Sequence, residues 1–344
     1  MGKATLFLNG EILTANARDE LCDAILIEDG RIVYVGESSD ALSLVDEDAE
    51  IIDLEKRAVI PGFINTYPTD FTEDVDTLSE MEARASKLLS LGWTSLRFTQ
   101  RGLSRLRHFV ADGSLTETAF PYLFALYERA ELFCERSRMI LLSREDIECD
   151  SAQRRAEWAV SDKRPIALEA EGEGELRAAL TFLSAFSQRH AASPRNRLYL
   201  FSALQGRPFP RYLFCRVLPV FLSVDPTSSE ALLDLLEYGL PAALASKDPL
   251  VAPLRLFSEL LSPCGDDFRS VPPLLKTLSL YAASLESLGD SVGSLEWGKL
   301  ADFSILSGAL IGCPPSCLDG LHVTECRIGG RRLSAQPIET PSFL

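Results

Sequence analysis

The stretch Ala58-Val59-Ile60-Pro61-Gly62-Phe63-Ile64-Asn65-Thr66-Tyr67-Pro68-Thr69 separates two kinds of pattern in the chain. Ala58–Ile64 reads as a strand, and everything before it reads as β-structure. Thr5–Leu8 and Glu11–Thr14 flank Asn9-Gly10, while Ala24–Ile27 and Ile32–Val35 flank Asp29-Gly30. Both dipeptides favour the positive φ of a two-residue turn, so two hairpins are expected. Glu50–Leu54 is a further short strand. Helical periodicity begins only after Pro61-Gly62, with Thr72–Leu91, whose apolar positions recur every three to four residues up to Gly92.

From there strand and helix patterns alternate. Strands are expected at Thr94–Phe98, Tyr122–Leu126, Met139–Leu142, Pro165–Ala170, Leu198–Ser202, Val217–Val224 and Ala242–Ser246. Helical patterns such as Ser151–Val160, Glu175–Gln188 and Ser228–Tyr238 lie between them. With Ala58–Ile64 this makes eight strands over roughly 230 residues, within the range of a (β/α)8 barrel. Two more helices are expected at Val251–Leu261 and Pro273–Leu288. β-Character returns at Phe303–Leu306, Val323–Ile328 and, after Gly329-Gly330, Arg331–Leu333. The expected fold is α/β: a TIM-type (β/α)8 barrel over residues 59–288. A small β-sandwich domain formed from both chain termini, 1–58 and 289–344, stands beside it.

Composition narrows the function. The 344 residues carry 34 Lys+Arg against 50 Asp+Glu, a formal net charge of −16, and 46% are apolar. That length supports a substantial core. The acidic balance argues against a nucleic-acid or anionic-membrane surface. No apolar run approaches the roughly 20 residues of a membrane helix. The opening Met1-Gly-Lys-Ala-Thr-Leu-Phe-Leu-Asn-Gly10 turns polar too soon for a signal peptide, so a soluble, cytoplasmic protein is expected. The three histidines, His108, His190 and His322, are scattered. Of the eight cysteines only Cys313 and Cys317 lie close, around Pro314-Pro315-Ser316, and no second pair completes a four-ligand zinc site.

Several motifs resemble the metal-dependent amidohydrolase superfamily. Near the start these are Leu8-Asn9-Gly10, Ile27-Glu28-Asp29-Gly30-Arg31-Ile32, Val35-Gly36 and Ile51-Ile52-Asp53-Leu54, followed by Val59-Ile60-Pro61-Gly62-Phe63-Ile64. Near the end it is Gly293-Ser294-Leu295-Glu296-Trp297-Gly298-Lys299-Leu300-Ala301-Asp302-Phe303, with Trp297 where Pro is usual. Ala111-Asp112-Gly113-Ser114-Leu115-Thr116 and Pro249-Leu250-Val251-Ala252-Pro253 are similar to the branch that includes formamide deformylases. The resemblance implies hydrolysis of C–N bonds other than peptide bonds, at zinc or another divalent metal in the barrel mouth. It also implies a homodimer. The family's ligands are a His-x-His pair after the first strand, a Lys or Glu from the fourth, one His each from the fifth and sixth, and an Asp from the eighth. Such a metal lowers the pKa of bound water to about 7, so that hydroxide attacks the amide carbon.

This chain departs from that pattern position by position. Ile64 should lead through Asp into His-x-His, but the sequence runs Asn65-Thr66-Tyr67-Pro68-Thr69, so Tyr67 and Thr69 take the histidine places. Glu169 stands at the fifth-strand place and Ser202 at the sixth. At the eighth, Ser246-Lys247-Asp248 puts Lys247 where Asp belongs. A cation there repels a metal. No fourth-strand ligand aligns. The expected site is therefore metal-free, with no cofactor.

Each candidate has a plain structural reading beside the functional one. Glu171, Glu173 and Glu175 form an acidic run that suits acid–base work or a hard cation, and equally suits a helix N-terminus. Glu169 and Lys247 are the candidate catalytic residues: as a pair they plug the vacated pocket with a salt bridge, or Lys247 binds an anion or serves as base or nucleophile. Tyr67, Thr69, Arg97, Ser202 and Asp248 are candidate ligand contacts, with Arg97 suited to a bidentate carboxylate or to a surface ion pair. Asp302 reads as structural, setting the turn into Phe303. Ser246 lacks a nucleophile elbow and a triad, and Gly172 and Gly174 complete no Gly-x-Gly-x-x-Gly loop. The expectation is a catalytically silent homologue, a pseudoenzyme that keeps its scaffold to bind a small molecule or to assemble. The alternatives are a hydrolase of amide-type bonds working through Lys247 and Glu169, and a conventional metal hydrolase in which these positions are misaligned.

Overall fold

A computed structural model describes residues 4–69, 72–136, 140–142, 150–161, 166–170, 173–189, 198–202, 220–224, 242–244, 246, 248–261, 271–286 and 288–333. The chain opens with β1 (Thr5–Leu8), β2 (Glu11–Leu13), β3 (Leu21–Cys22), β4 (Ala24–Glu28), β5 (Arg31–Gly36), the short helix α1 (Ser38–Ala41), β6 (Glu50–Asp53) and β7 (Ala58–Pro61). The middle holds β8 (Phe63–Thr69), α2 (Leu78–Ser90), β9 (Trp93–Phe98), α3 (Gln100–Ala111), α4 (Pro121–Arg136), β10 (Ile140–Leu142) and α5 (Asp150–Ser161). It continues through β11 (Ile166–Ala170), α6 (Glu173–Arg189), β12 (Leu198–Ser202), β13 (Val220–Val224), β14 (Ala242–Leu244), α7 (Pro253–Leu261), α8 (Val271–Thr277) and α9 (Leu280–Leu285). β15 (Phe303–Leu306), β16 (Val323–Ile328) and β17 (Arg331–Leu333) end the described chain.

The two chain ends share their sheets. One sheet has the order β5-β4-β1-β6, and the other β17-β16-β15-β7-β2-β3, so C-terminal strands sit directly beside N-terminal ones. Phe7, Ile25, Ile27 and Ile32 of the first sheet share a buried cluster with Ile12, Val59, Phe303 and Ile305 of the second. Phe7 and Phe303 meet edge to face at 5.4 Å.

The two turn dipeptides behave differently. Asp29-Gly30 closes the β4–β5 hairpin with Glu28 opposite Arg31, and φ of 48° and 77° at the two turn residues is the primed geometry that matches strand twist. Asn9-Gly10 is not a hairpin. Asn9 has φ of 57°, but β1 pairs with β4 and β6, while β2 pairs with β3 and β7 in the other sheet. A turn dipeptide sets the change of direction, not the partner. Here the Gly10 N–H donates to Asp23 O and Glu11 N–H to Arg57 O, so the chain crosses between sheets.

Gly62 makes a second crossing. The single strand expected over Ala58–Ile64 is two: β7 belongs to the six-stranded sheet, and β8 pairs in parallel with β9. A Cβ at Gly62 would lie 2.2 Å from the Thr94 side chain, so only glycine fits where the chain changes sheets. The other parallel strands form a five-stranded sheet in chain order, β10 to β14.

Among the described residues these two parallel sheets are not hydrogen-bonded to each other, and the closed eight-stranded barrel expected from the sequence is not seen. One of the eight expected strands is missing for a local reason. Tyr122–Leu126, read as the third barrel strand, lies inside helix α4. Five consecutive mostly apolar residues suit either a buried strand or a buried helix. The wider window decides: Leu123, Leu126 and Ala130 are buried at helical spacing, and Pro121 occupies the first helical position. Other boundaries shift for comparable reasons. α2 begins at Leu78 because Thr77 and Glu80 form a reciprocal capping box. The helix expected over Pro273–Leu288 divides at Ser279, whose φ of −132° and ψ of −90° are not helical. Ser228–Tyr238 lies outside the described residues.

The main core forms where Phe63, Trp93 and Leu96 of β8 and β9 meet Leu88, Leu106, Leu126 and Phe257 of the surrounding helices. A separate cluster joins Ile64 of β8 and Ala243 of β14 to Ala282, Ala283 and Leu285 of α9.

Candidate functional site

Parallel strands in βα folds place functional side chains at their C-terminal ends. On β8, Asn65 and Thr66 are fully buried and Tyr67 is half-buried. Asn65 makes a reciprocal pair with Ser246: its Nδ2 donates to Ser246 O at 2.9 Å, and its Oδ1 accepts from Ser246 N–H at 3.1 Å. The same Oδ1 accepts from Tyr67 N–H at 3.2 Å. A carboxamide can donate and accept at once, so this side chain acts as a rung of ladder between β8 and the segment after β14.

That chemistry explains why Asn stands where the resemblance calls for Asp. A carboxylate would accept from Ser246 N–H but would set a second acceptor against Ser246 O. Asn65→Asp is therefore expected to destabilise the fold at neutral pH by about 1–3 kcal/mol, the cost of leaving a buried carbonyl unpaired. Equilibrium urea unfolding measures it, and an unchanged midpoint would refute the assignment.

The segment after Ser246 is held from two sides. Ser246 Oγ donates to Asp248 O at 2.6 Å, and the Trp93 indole N–H donates to Pro249 O at 2.7 Å. Trp93 packs edge-on to Phe63, which meets Phe257 of α7 at 5.9 Å. Asp248 itself is exposed, and its Oδ1 accepts from Leu250 N–H at 2.9 Å. It shapes the turn into α7.

Arg97 is the fifth residue of β9. Its ion pair lies largely inside the protein rather than at the surface. Its Nη1 lies 2.6 Å from Glu286 Oε1, with the side chains 14% and 1% exposed. Glu286 caps the C-terminus of α9. Ser95 is two residues before Arg97, hence on the same face of β9, and it stands opposite Ile64, against which α9 packs. Among the described residues, Ser95 Oγ and Glu286 Oε2 are the buried side-chain atoms with no hydrogen-bond partner. Sequence reading missed Glu286. Its signal was a single acid three and four residues after Ala283 and Ala282, on the helix's apolar face.

The remaining candidates are placed by backbone only. Thr69 ends β8 opposite Phe98. Glu169 is level with Phe201 in the β11–β12 pair, and Ser202 ends β12 between Ala170 and Val224. The Glu169 and Ser202 strands are thus neighbours. Lys247, Glu171 and Gly172 lie outside the described residues. His108 is largely exposed on α3, 3.9 Å from Asp112.

Of the places that the resemblance assigns to metal ligands and the Asp before them, the described side chains are those of Asn65 and Tyr67. A metal needs converging lone pairs on imidazole or carboxylate. At the Asp place, Asn65 Oδ1 is already engaged by two N–H groups, and Tyr67 brings a phenol where imidazole is required. β9 adds the guanidinium of Arg97, a fixed positive charge. Among the described residues no group of three or more His, Cys, Asp or Glu side chains is placed to hold a metal ion. A cavity of about 70 Å³ lined by Leu13, Ala15, Leu21, Pro272, Leu275 and Ile311 lies away from these strand ends. It is well below the roughly 300 Å³ at which small-molecule sites begin.

Known structures share this architecture. An adenosine deaminase from Xanthomonas campestris with bound zinc is similar over 96% of this chain and 93% of its own, at 15% identity and a TM-score of 0.64. An amidohydrolase from Thermotoga maritima MSB8 is similar over 96% of this chain and all of its own, at 16% identity and a TM-score of 0.60. The fold is similar to that of these two proteins. At such low identity the likeness speaks for the fold alone. An N-substituted formamide deformylase from Arthrobacter pascens is 32% identical over 62 residues, which span 18% of this chain and 11% of that enzyme. No family model matches the chain. No described helix is long and apolar enough to cross a membrane.

Proposed function

We propose that this chain is an amidohydrolase relative whose metal centre has been lost and whose scaffold serves to bind a small molecule or to assemble. The observation that carries this is Asn65. Where the family needs a carboxylate and an imidazole pair, the chain has an amide committed to a backbone-like tie with Ser246, followed by Tyr67. The buried Arg97–Glu286 pair supports the same reading, because it puts a guanidinium beside the first-strand residues. In this reading residues 1–58 and 289–344 build one small β-sandwich beside a barrel-type unit over 59–288. The protein acts as a cytoplasmic homodimer.

Metal analysis of protein expressed in medium supplemented with zinc, manganese and iron tests the reading. The expected content is far below one metal per chain, with no turnover of N-substituted formamides when zinc is added back. One tightly held metal per chain would overturn it.

A further inference from the structure

β6 is an edge of the four-stranded sheet, with β1 as its one strand partner among the described residues. The two run parallel, Leu6 opposite Ile51 and Phe7 opposite Ile52. Glu50 N–H donates to Ala4 O at 2.9 Å and Leu54 N–H to Leu8 O at 2.8 Å, so these residues turn their main chain toward β1. Alternation along the strand then points the N–H groups of Ile51 and Asp53, and the Ile51 carbonyl, away from the sheet. Side chains alternate too. Ile52 packs inward with Phe7, while Ile51 shares the outer face with Leu6, which clusters with Ala41 of α1 and with Val45. Ile51 is 54% exposed, and Leu42 and Leu44, in the turn that follows α1, are 49% and 55% exposed. Outward main-chain groups beside exposed apolar side chains are what an added strand needs.

Charge selects the occupant. Between Arg31 and Lys56 the sequence has no Lys or Arg. Asp46, Glu47, Asp48, Glu50 and Asp53 are all exposed, and among the described residues none of the five is in an ion pair. A second copy on this edge would set the same acids against one another, which is destabilising. The acids that repel a copy attract a strand of opposite charge. We propose that β6 is a docking edge for an extended basic segment of a partner protein, added antiparallel to β6. One partner residue exchanges both main-chain hydrogen bonds with Ile51 and is apolar, since its side chain shares the face of Ile51. The residue two before it stands opposite Asp53 and the one after it opposite Glu50, and both are Lys or Arg. The docking motif is therefore basic-x-apolar-basic, and it does not depend on the fate of the metal centre.

Titrating a fluorescent peptide with the core Lys-Val-Leu-Lys against the full chain, followed by anisotropy, tests this. Saturable binding that weakens with salt is expected, with none for the Glu-Val-Leu-Glu peptide. Ile51→Pro removes an outward N–H and leaves the β1 ladder intact; about tenfold weaker binding is expected from the folded variant. Glu50→Lys with Asp53→Lys reads the same edge without a backbone change, and is expected to exchange the preference, binding the Glu peptide and releasing the Lys one. No binding of the Lys-Val-Leu-Lys peptide would overturn the proposal. So would equal binding of Lys-Gly-Gly-Lys, which would reduce the contact to charge alone. A wild-type oligomer that Ile51→Pro dissociates would overturn it as well, because a second copy would then hold the edge.

Discussion

Asp302→Ala is expected to destabilise the protein by about 3–5 kcal/mol, the usual cost of leaving one partner of a buried ion pair uncompensated. Asp302 Oδ2 accepts from Arg129 Nε at 2.7 Å, and Oδ1 accepts from Arg129 Nη2 at 2.6 Å, a bidentate pair between β15's entry and helix α4. Oδ1 also accepts from Gly329 N–H at 2.6 Å, which fixes the β16–β17 turn. The side chains of Arg129 and Asp302 are 10% and 3% exposed. Removing the carboxylate therefore strands a buried guanidinium and a backbone N–H together. Because one of the three bonds goes to backbone, removing both charged side chains is not expected to restore stability: Arg129→Met with Asp302→Leu should stay well below wild type. Urea unfolding of both variants measures this. A double variant as stable as wild type would show that the Gly329 contact contributes nothing.

Asp302 also shows how far sequence reading reaches. Its place in the closing motif marked it as structural, and its own backbone O receives Gly62 N–H, where the chain passes from β7 to β8. The partner on α4 was not legible, because 173 residues separate Arg129 from Asp302 and no periodicity joins them. The same division runs through the rest of the fold. Asp29-Gly30 and Gly329-Gly330 declared hairpins, since local φ demands are written in two residues. Asn9-Gly10 declared a turn correctly and its strand partners wrongly, since pairing is a long-range choice. Tyr122–Leu126 failed because five residues are too few to separate period 2 from period 3.6. At the candidate site the sequence told where residue types depart from the family it resembles. It could not tell what the substitutes were doing: that Asn65 would use both ends of its amide, or that Arg97 would find an acid on α9.

The Arg97–Glu286 pair is expected to respond oppositely to the Arg129–Asp302 pair. Arg97→Met leaves a 1%-exposed carboxylate without its guanidinium, at a cost of about 3–5 kcal/mol. Glu286 differs from Asp302 in having one oxygen bonded to Arg97 and the other, Oε2, with no partner among the described residues. Among the described residues no backbone group depends on it through either oxygen in the way Gly329 depends on Asp302. Desolvating a carboxylate for so few bonds is poor compensation, so replacing the pair by apolar side chains should recover the loss. Arg97→Met combined with Glu286→Leu is expected to equal wild type or exceed it by about 1–4 kcal/mol, with Ile64, Ala282 and Leu285 as ready packing neighbours. The full cycle, each single variant and the double in urea, gives the coupling energy directly. A double variant no better than Arg97→Met alone would mean that Glu286 is held by contacts other than Arg97. Such a result would point toward an interior that keeps its charge for a ligand, since retaining an unpaired buried oxygen costs stability unless something else uses it.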